Sequence, residues 1–426
     1  MKVLLISANT EQINMPVLPL GMAYVAAAVE NAGHEVKTVN LMMAQDVRGR
    51  IQAAVEGFKP GVIGISVRNI DDQMMESPNL LLEPVKAVVS ECRRLSDAII
   101  VLGGAGYSIF PERTLAYLKA DMGIQGEGEK AFVRLLERLE RKTGFSDIPG
   151  LCLAVFGTQE KRRFSRDLDD HPQPLPNIHL DVPSSTNQED IYIPIQTRRG
   201  CPMDCSYCST ATIEGRILRK HSVEGAVEFI QRYTESGIKQ FFFVDNTFNF
   251  PLSYAKALCD RIIAAGLNIR WRCILYPWKI DDRLVEKMAR AGCREVSLGF
   301  ESGSEEMLKR LNKKFRPGDV RRISGILGKQ GIHRMGFLLL GGPGETRETV
   351  EESLHFADSL EMDAMKITTG IRIYPGTPLY RTALEEGVIA QNEDLLFPKF
   401  YMAEGLEGWL EETVNRWIES RPNWMK

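Results

Sequence analysis

The stretch Arg199-Gly200-Cys201-Pro202-Met203-Asp204-Cys205-Ser206-Tyr207-Cys208 sets three thiols close together in one loop. Three thiols this near can grip three corners of one metal cluster. A structural zinc site takes four protein ligands in a closed tetrahedron, and no fourth Cys or His lies within a few residues. A four-iron four-sulfur cluster takes four thiolates when the protein ligates every iron, so three leave one iron open to a non-protein ligand. An open iron is a reaction site. The same residues also admit a buried trio of small side chains, or a zinc site completed from elsewhere with His221 available.

The spacing Cys-x3-Cys-x2-Cys, with the aromatic Tyr207 just before the last Cys, resembles the cluster loop of the radical S-adenosylmethionine (SAM) enzymes. The resemblance implies a 4Fe-4S cluster held by Cys201, Cys205 and Cys208, with the open iron chelating the methionine end of SAM. It also implies reductive cleavage of SAM to a 5'-deoxyadenosyl radical, and hence a reducing electron donor of the flavodoxin or ferredoxin type.

Around this loop lie 426 residues, 44% of them hydrophobic and 26% charged, an ordinary globular composition. Single cores rarely grow past ~250 to 300 residues, so two or three domains are expected. A net charge of -3 supplies no basic field for nucleic acid or an acidic membrane. The opening Met1-Lys2-Val3-Leu4-Leu5-Ile6-Ser7 is too short in apolar residues for a signal peptide, and no run approaches a membrane span. The expected location is cytoplasmic. Eight Cys make no disulfide framework, and Cys92, Cys152, Cys259, Cys273 and Cys293 read as small apolar residues.

Towards the N-terminus, short apolar runs alternate with helical patterns. Strands are expected at Val3 to Ile6, Glu35 to Val39, Val62 to Val67 and Ile99 to Leu102, with helices at Leu20 to Ala32, Asp46 to Phe58 and Leu81 to Leu95. This alternation predicts a Rossmann-like parallel sheet covered on both faces. Ligands of such sheets sit beyond the carboxyl ends of the strands. Three loops stand there: Asn9 to Pro19, Ser66 to Asp72 and Gly103 to Tyr107. No Gly-x-Gly-x-x-Gly follows the first strand, which argues against NAD or FAD.

The segments Pro19-Leu20-Gly21-x-Ala23-Tyr24, Gly33-His34-Glu35-Val36, Gly103-Gly104 and Ala120-Asp121-x-Gly123-Ile124-x-Gly126-Glu127-Gly128-Glu129 follow in order. Together they resemble the cobalamin-binding domain of the cobalamin-dependent radical SAM subfamily. The resemblance makes Ser66, Arg68, Asn69, Gly103, Gly104, Gly126 and Glu127 the expected cobalamin contacts. Proteins that ligate cobalt through imidazole carry Asp-x-His-x-x-Gly after the first strand, and this chain does not. His34 precedes the second strand, at the wrong end of the sheet. No His is therefore expected on cobalt, and Arg68 is the candidate cover of its lower face, unless it pairs with Asp71 or Asp72.

Residues 140–190 shift toward Pro, Asp and Ser, as in Asp167 to Pro174 and Pro183-Ser184-Ser185, and suggest a linker with one short strand at Leu151 to Phe156. Alternation then resumes, with strands expected at Ile193 to Gln196, Gln240 to Val244, Ile269 to Ile274, Glu295 to Phe300, Arg334 to Leu340 and Met365 to Arg372. Six such units resemble the partial (β/α)6 TIM-type barrel of radical SAM enzymes, whose chemistry collects at the carboxyl-terminal rim. Carried over by position, Tyr207, Asp245, Asn246, Glu301 and Gly341 are expected around SAM, with Asp245 and Asn246 at its methionine end and Glu301 at its ribose. A carboxylate suits that last task because it accepts two hydroxyl hydrogen bonds. Arg198 and Arg272 are candidates for a carboxylate or for barrel ion pairs. Trp409, Trp417 and Trp424 lie in an amphipathic tail expected as a small helical cap, there to anchor it or to line a substrate pocket.

The expected divisions are a cobalamin-binding domain over 1–139, a linker over 140–190, a radical SAM barrel over 191–376 and the cap over 377–426. The resemblance implies methyl transfer from methylcobalamin to an unactivated carbon of a small-molecule or lipid-like substrate. Relatives in the subfamily instead perform ring contraction, cyclisation or oxidation. A non-catalytic sensor would need an output domain, and none is legible.

Overall fold

The computed structural model describes residues 1–11, 18–176, 179 and 192–426. The middle of the Asn9 to Pro19 loop and the Pro183-Ser184-Ser185 stretch lie outside the described residues.

The first sheet contains β1 (Lys2–Ser7), β2 (Glu35–Asn40), β3 (Val62–Ser66), β4 (Ile99–Gly103), β5 (Met122–Ile124), β6 (Leu151–Leu153) and β7 (Gly157–Thr158). Their spatial order is β2-β1-β3-β4-β5-β6-β7. The first five run parallel, with β1 paired to β2 on one side and β3 on the other. This is the doubly wound order, in which the switch point between β1 and β3 opens a crevice at the carboxyl ends of the strands. Strand β1 is apolar on both faces because both are covered: Leu4 and Ile6 join one core cluster, Val3 and Leu5 the other. Helix Leu20–Asn31 lays Ala23 and Tyr24 on the first cluster and Met22, Ala26 and Val29 on the second.

Strands β6 and β7 add antiparallel to the edge of this sheet, so part of the Pro-rich segment packs with the first unit. The run Leu151 to Phe156 is strand only to Leu153, because Val155 and Phe156 sit exposed at the hairpin turn.

The second sheet contains β8 (Ile193–Ile195), then, beyond a small ribbon of β9 (Arg198–Arg199) and β10 (Arg219–Lys220), β11 (Gln240–Phe243), β12 (Arg270–Leu275), β13 (Cys293–Glu301), β14 (His333–Leu340) and β15 (Ala364–Thr369). It is an open parallel barrel of the expected six strands, extended by a seventh. The expected strand Met365 to Arg372 breaks at Gly370, whose φ of 72° suits glycine. Beyond the break, β16 (Ile371–Arg372) turns away to pair antiparallel with β17 (Phe400–Tyr401).

The tail does more than cap. Its last strand, β18 (Trp424–Met425), pairs with β15 and covers an edge that would otherwise expose unpaired backbone groups. Trp417 stacks on Trp424 with centroids 5.7 Å apart, Arg421 lies over both rings, and Trp409 packs under Arg347. The three tryptophans anchor the tail.

Candidate functional site between the two units

A cavity of about 360 Å³ lies where the carboxyl ends of β1, β3 and β4 face the first strand of the barrel, Arg199 at the root of the cysteine loop, and Ile213 and Glu214; Cys201, Cys205 and Cys208 do not line it. Of the residues expected at cobalamin, Ser66, Arg68, Gly103, Gly104, Gly126 and Glu127 line it. Asn69 does not; its backbone packs close to Gly106. The wall from the first unit is largely backbone. Gly104 has φ 104°, and a Cβ there would sit 2.5 Å from the Val67 carbonyl. Ser108 ties two glycine turns together, donating to the Gly104 carbonyl at 2.8 Å and accepting from the Gly126 N–H at 2.9 Å. A flat, glycine-edged cradle of this kind admits a broad planar ligand close to the main chain.

Arg68 is the cation of this wall. Its side chain keeps access to the cavity, yet the surrounding protein desolvates it and pulls its pKa below the usual arginine range. The expected alternative of an ion pair with Asp71 or Asp72 is not realised. Asp71 accepts from Arg372 Nε at 2.8 Å, and Asp72 accepts from the backbone N–H groups of Met74 and Asn79. Among the described residues no carboxylate pairs with Arg68, and no histidine lines the cavity. His34 lies at the opposite end of the sheet, with Nδ1 3.1 Å from the Met1 amine.

Across the cavity, Gly200 begins the cysteine loop with φ 86°; a Cβ there would meet the Ile217 carbonyl at 2.2 Å. Backbone bonds pin the loop at both sides, from Ser206 N–H to the Leu311 carbonyl and from Leu379 N–H to the Ser206 carbonyl. Cys201, Cys205 and Cys208 are half-buried and free of disulfides. Burial, together with the like charges of the other two thiolates, pushes the Cys201 thiol up to about 11. Burial also raises Cys205, against the opposing pull of Lys313. Three neighbouring thiols, Cys201 and Cys205 among them resisting ionisation by themselves, make a soft donor set for metal.

Among the described residues no three metal-binding side chains converge on a single ion. His221 Nδ1 lies 2.8 Å from Asp169, and among the described residues the ring is not grouped with the three cysteines. The donors fit a cluster that takes one thiolate per iron.

The residues expected around SAM divide into two groups, and Lys313, which was not expected there, joins the first. Tyr207, Glu301 and Lys313 form a triangle beside the loop: the Tyr207 hydroxyl donates to Glu301 Oε1 at 2.8 Å, and Lys313 Nζ lies 3.0 Å from the hydroxyl and 3.2 Å from the carboxylate. Glu301 reaches this place through a bulge at the end of β13, with φ 65°. Asp245 and Asn246, by contrast, are occupied within the scaffold. Asp245 is fully buried and accepts from Thr197 N–H at 2.6 Å, Thr197 Oγ1 at 2.6 Å and Arg198 N–H at 2.9 Å. Asn246 donates to Glu214, whose same oxygen accepts from Gly200 N–H at 2.9 Å. Both brace the base of the cysteine loop.

Arg198 pairs with buried Asp245, and Arg272 stacks on Tyr192 and lies 3.8 Å from Glu295, so both serve the barrel wall. Gly341 donates its N–H to Glu345 and packs beside Met402. Glu345 is buried, and its carboxyl is pushed up to about 7 by desolvation, against two backbone hydrogen bonds.

Glu127 was expected to contact cobalamin. Its Oε2 accepts from Ser165 N–H at 2.7 Å and its Oε1 from Arg219, with Arg199 3.4 Å away. Glu129 binds Arg199 Nη2 at 2.6 Å. Sequence reasoning had not assigned Glu129, Arg199 or Glu214, although all three line the cavity. The first two lie inside quoted motifs; the missing signal was which loop each faces.

A model of the B12 binding domain matches residues 6–136, and one of the Radical SAM superfamily matches 195–357. An uncharacterised methyltransferase of Pyrococcus horikoshii is 28% identical over 403 residues, spanning 91% of this chain and 84% of its own. A tryptophan 2-C-methyltransferase of Streptomyces laurentii is 23% identical, spanning 89% and 74% respectively. The solved structure of TsrM, a radical SAM methyltransferase from Kitasatospora setae, superposes with TM-score 0.89 at 21% identity over 100% of this chain and 90% of its own, a likeness of fold. With a B12 binding domain set before a Radical SAM domain, the chain belongs to the cobalamin-dependent radical SAM enzymes, whose cofactors are cobalamin, SAM and a 4Fe-4S cluster.

Proposed function

We propose that this enzyme transfers a methyl group to an unactivated carbon of a small-molecule or lipid-like substrate. The observation that carries the reading is the shared cavity, with the glycine cradle of the first unit on one wall and the cysteine-loop side of the barrel on the other. When bound, the cluster and SAM supply a hydrogen-abstracting radical and cobalamin supplies the methyl group.

The residues of the chain supply position and dryness. Cys201, Cys205 and Cys208 would hold three irons of a bound cluster, and three thiolates would leave its fourth iron for SAM. Glu301, fixed by Tyr207 and Lys313, presents its carboxylate to the ribose hydroxyls. Arg68, which has no carboxylate partner among the described residues, would cover bound cobalamin on this side, where its charge would oppose ligation and favour the reduced metal. Curated relatives named as methyltransferases, among them a hopanoid C-3 methylase of Methylococcus capsulatus at 24% identity, support methyl transfer. The electron comes from a donor of the flavodoxin or ferredoxin type, and the place of action is the cytoplasm.

Reconstituted protein incubated with SAM deuterated in its methyl group should form deoxyadenosine and pass the label to product. A Cys201→Ala, Cys205→Ala, Cys208→Ala variant should lose cluster iron and both products together. Deoxyadenosine from the wild type without labelled product, across extracts rich in candidate substrates, would count against methylation.

A further inference from the structure

Two glutamates and two arginines lie buried at the seam between the units, and neither unit supplies both signs. Glu127 and Glu129 follow β5 on the cradle side. Arg199 and Arg219 face each other across the β9/β10 ribbon at the root of the cysteine loop. Arg199 binds Glu129 at 2.6 Å and Glu127 at 3.4 Å, and its guanidinium lies 5.1 Å from the Tyr24 ring centroid. Arg219 donates to Glu127, to the Ser165 carbonyl at 3.1 Å and to the Glu214 carbonyl at 2.7 Å. The four side chains are between 4% and 11% exposed, so all are withdrawn from water.

A buried ion cluster is a poor source of stability, because desolvation consumes most of the Coulomb gain; packed apolar residues would serve a mere interface as well or better. Such a cluster does fix a single register, since any slip between the units leaves charges unpaired in a dry place. Here the register is between a loop that lines the cavity and the ribbon that opens directly into Cys201.

We propose that Glu127, Glu129, Arg199 and Arg219 are positioning residues that lock the cysteine loop to the cradle and so set the separation of the two cofactors. The mention of cofactors rests on the function proposed above; the mechanical lock does not.

The first arm of the test uses the full chain without cofactors, under hydrogen–deuterium exchange. Glu129→Gln keeps the shape but removes one charge, leaving Arg199 in the dry seam to share Glu127 with Arg219. Exchange should rise about tenfold not only at 126–130 but across the seam at 196–201 and 214–220, and Arg199→Lys, which keeps the charge, should raise it less than Arg199→Gln. A rise confined to 126–130, or equal effects of Lys and Gln, would overturn the lock.

In the second arm, with reconstituted holoenzyme, Glu129→Gln should raise deoxyadenosine formed per methyl transferred about fivefold at unchanged KM for SAM. Equal loss of both products would overturn the positioning role. Were the wild type to form no deoxyadenosine, the proposed function would fall while the exchange arm still decided the lock.

Discussion

The two walls of the cavity are made of different materials. The first unit offers the carboxyl ends of parallel strands, edged by Gly103, Gly104 and Gly126, with Arg68 as a cation that no carboxylate pairs among the described residues. The barrel offers paired charge: Arg199 answered by Glu129, and Glu214 taking hydrogen bonds from Gly200 and Asn246. Backbone can receive a broad ligand without side-chain cost. A loop that carries three neighbouring thiols, in contrast, needs charges fixed around it. Two arginines on one cavity thus do opposite work: Arg199 is spent on the protein, and Arg68 is left for a ligand.

If paired charge is what joins the walls, breaking a pair should cost most. Asp71 is wholly buried against Arg372, whose other nitrogens reach the carbonyls of Ile373 and Leu395. Asp71→Ala should destabilise the chain by about 3–5 kcal/mol, the cost of a stranded buried charge; chemical denaturation measures it. A loss near zero would mean that this pair does not hold the units together.

Glu345 sharpens the contrast, because it is a buried acid given no cation. Its folded pKa of about 7 stands above the ordinary carboxyl value of 4.5. The folded state therefore binds the extra proton, and this group's contribution to stability is present below about pH 4.5 and lost as pH rises through about 7. The swing is on the order of 3 kcal/mol. Glu345→Gln should flatten that part of the stability profile, read from thermal midpoints across the window; an unaltered slope would reject the assignment.

The backbone wall is tested by Gly104→Ala, which forces a Cβ against the Val67 carbonyl at φ 104°. A stability loss of about 2 kcal/mol is expected, with weaker cobalamin binding and an unchanged iron content. Equal loss of cluster would show that the walls are not separable.

The smallest structural effect belongs to Arg68→Ala. Removing a cation that has no carboxylate partner among the described residues should leave the melting temperature within about 2 °C, while the cobalt midpoint potential moves negative and the lower face takes up water or another ligand. Unchanged coordination and potential would dismiss the cover.

Much of the architecture was readable from periodicity. Apart from the short β9/β10 ribbon, which was not expected, the strands from Lys2 to Gly103 and from Ile193 to Leu340 fall within a residue or two of the expected bounds, because apolar residues run through or alternate along each. Ends and edges were less legible. Val155 and Phe156 look like strand yet lie in the open, and the seventh barrel strand comes from a tail that reads as a helical cap.

The cysteine spacing, the absence of an imidazole motif after β1 and the order of the two units were determined by the sequence alone, because each is a property of residues near one another in the chain. Which carboxylates face ligand and which face protein was decided only by the tertiary structure. Glu127 meets Arg219 across 92 positions and Asp71 meets Arg372 across 301. Asp245 is claimed by Thr197 and Arg198, leaving Glu301 at the loop. The physical reason is that a charge takes its role from its nearest partner in a dry environment, and that partner is chosen by packing between distant segments.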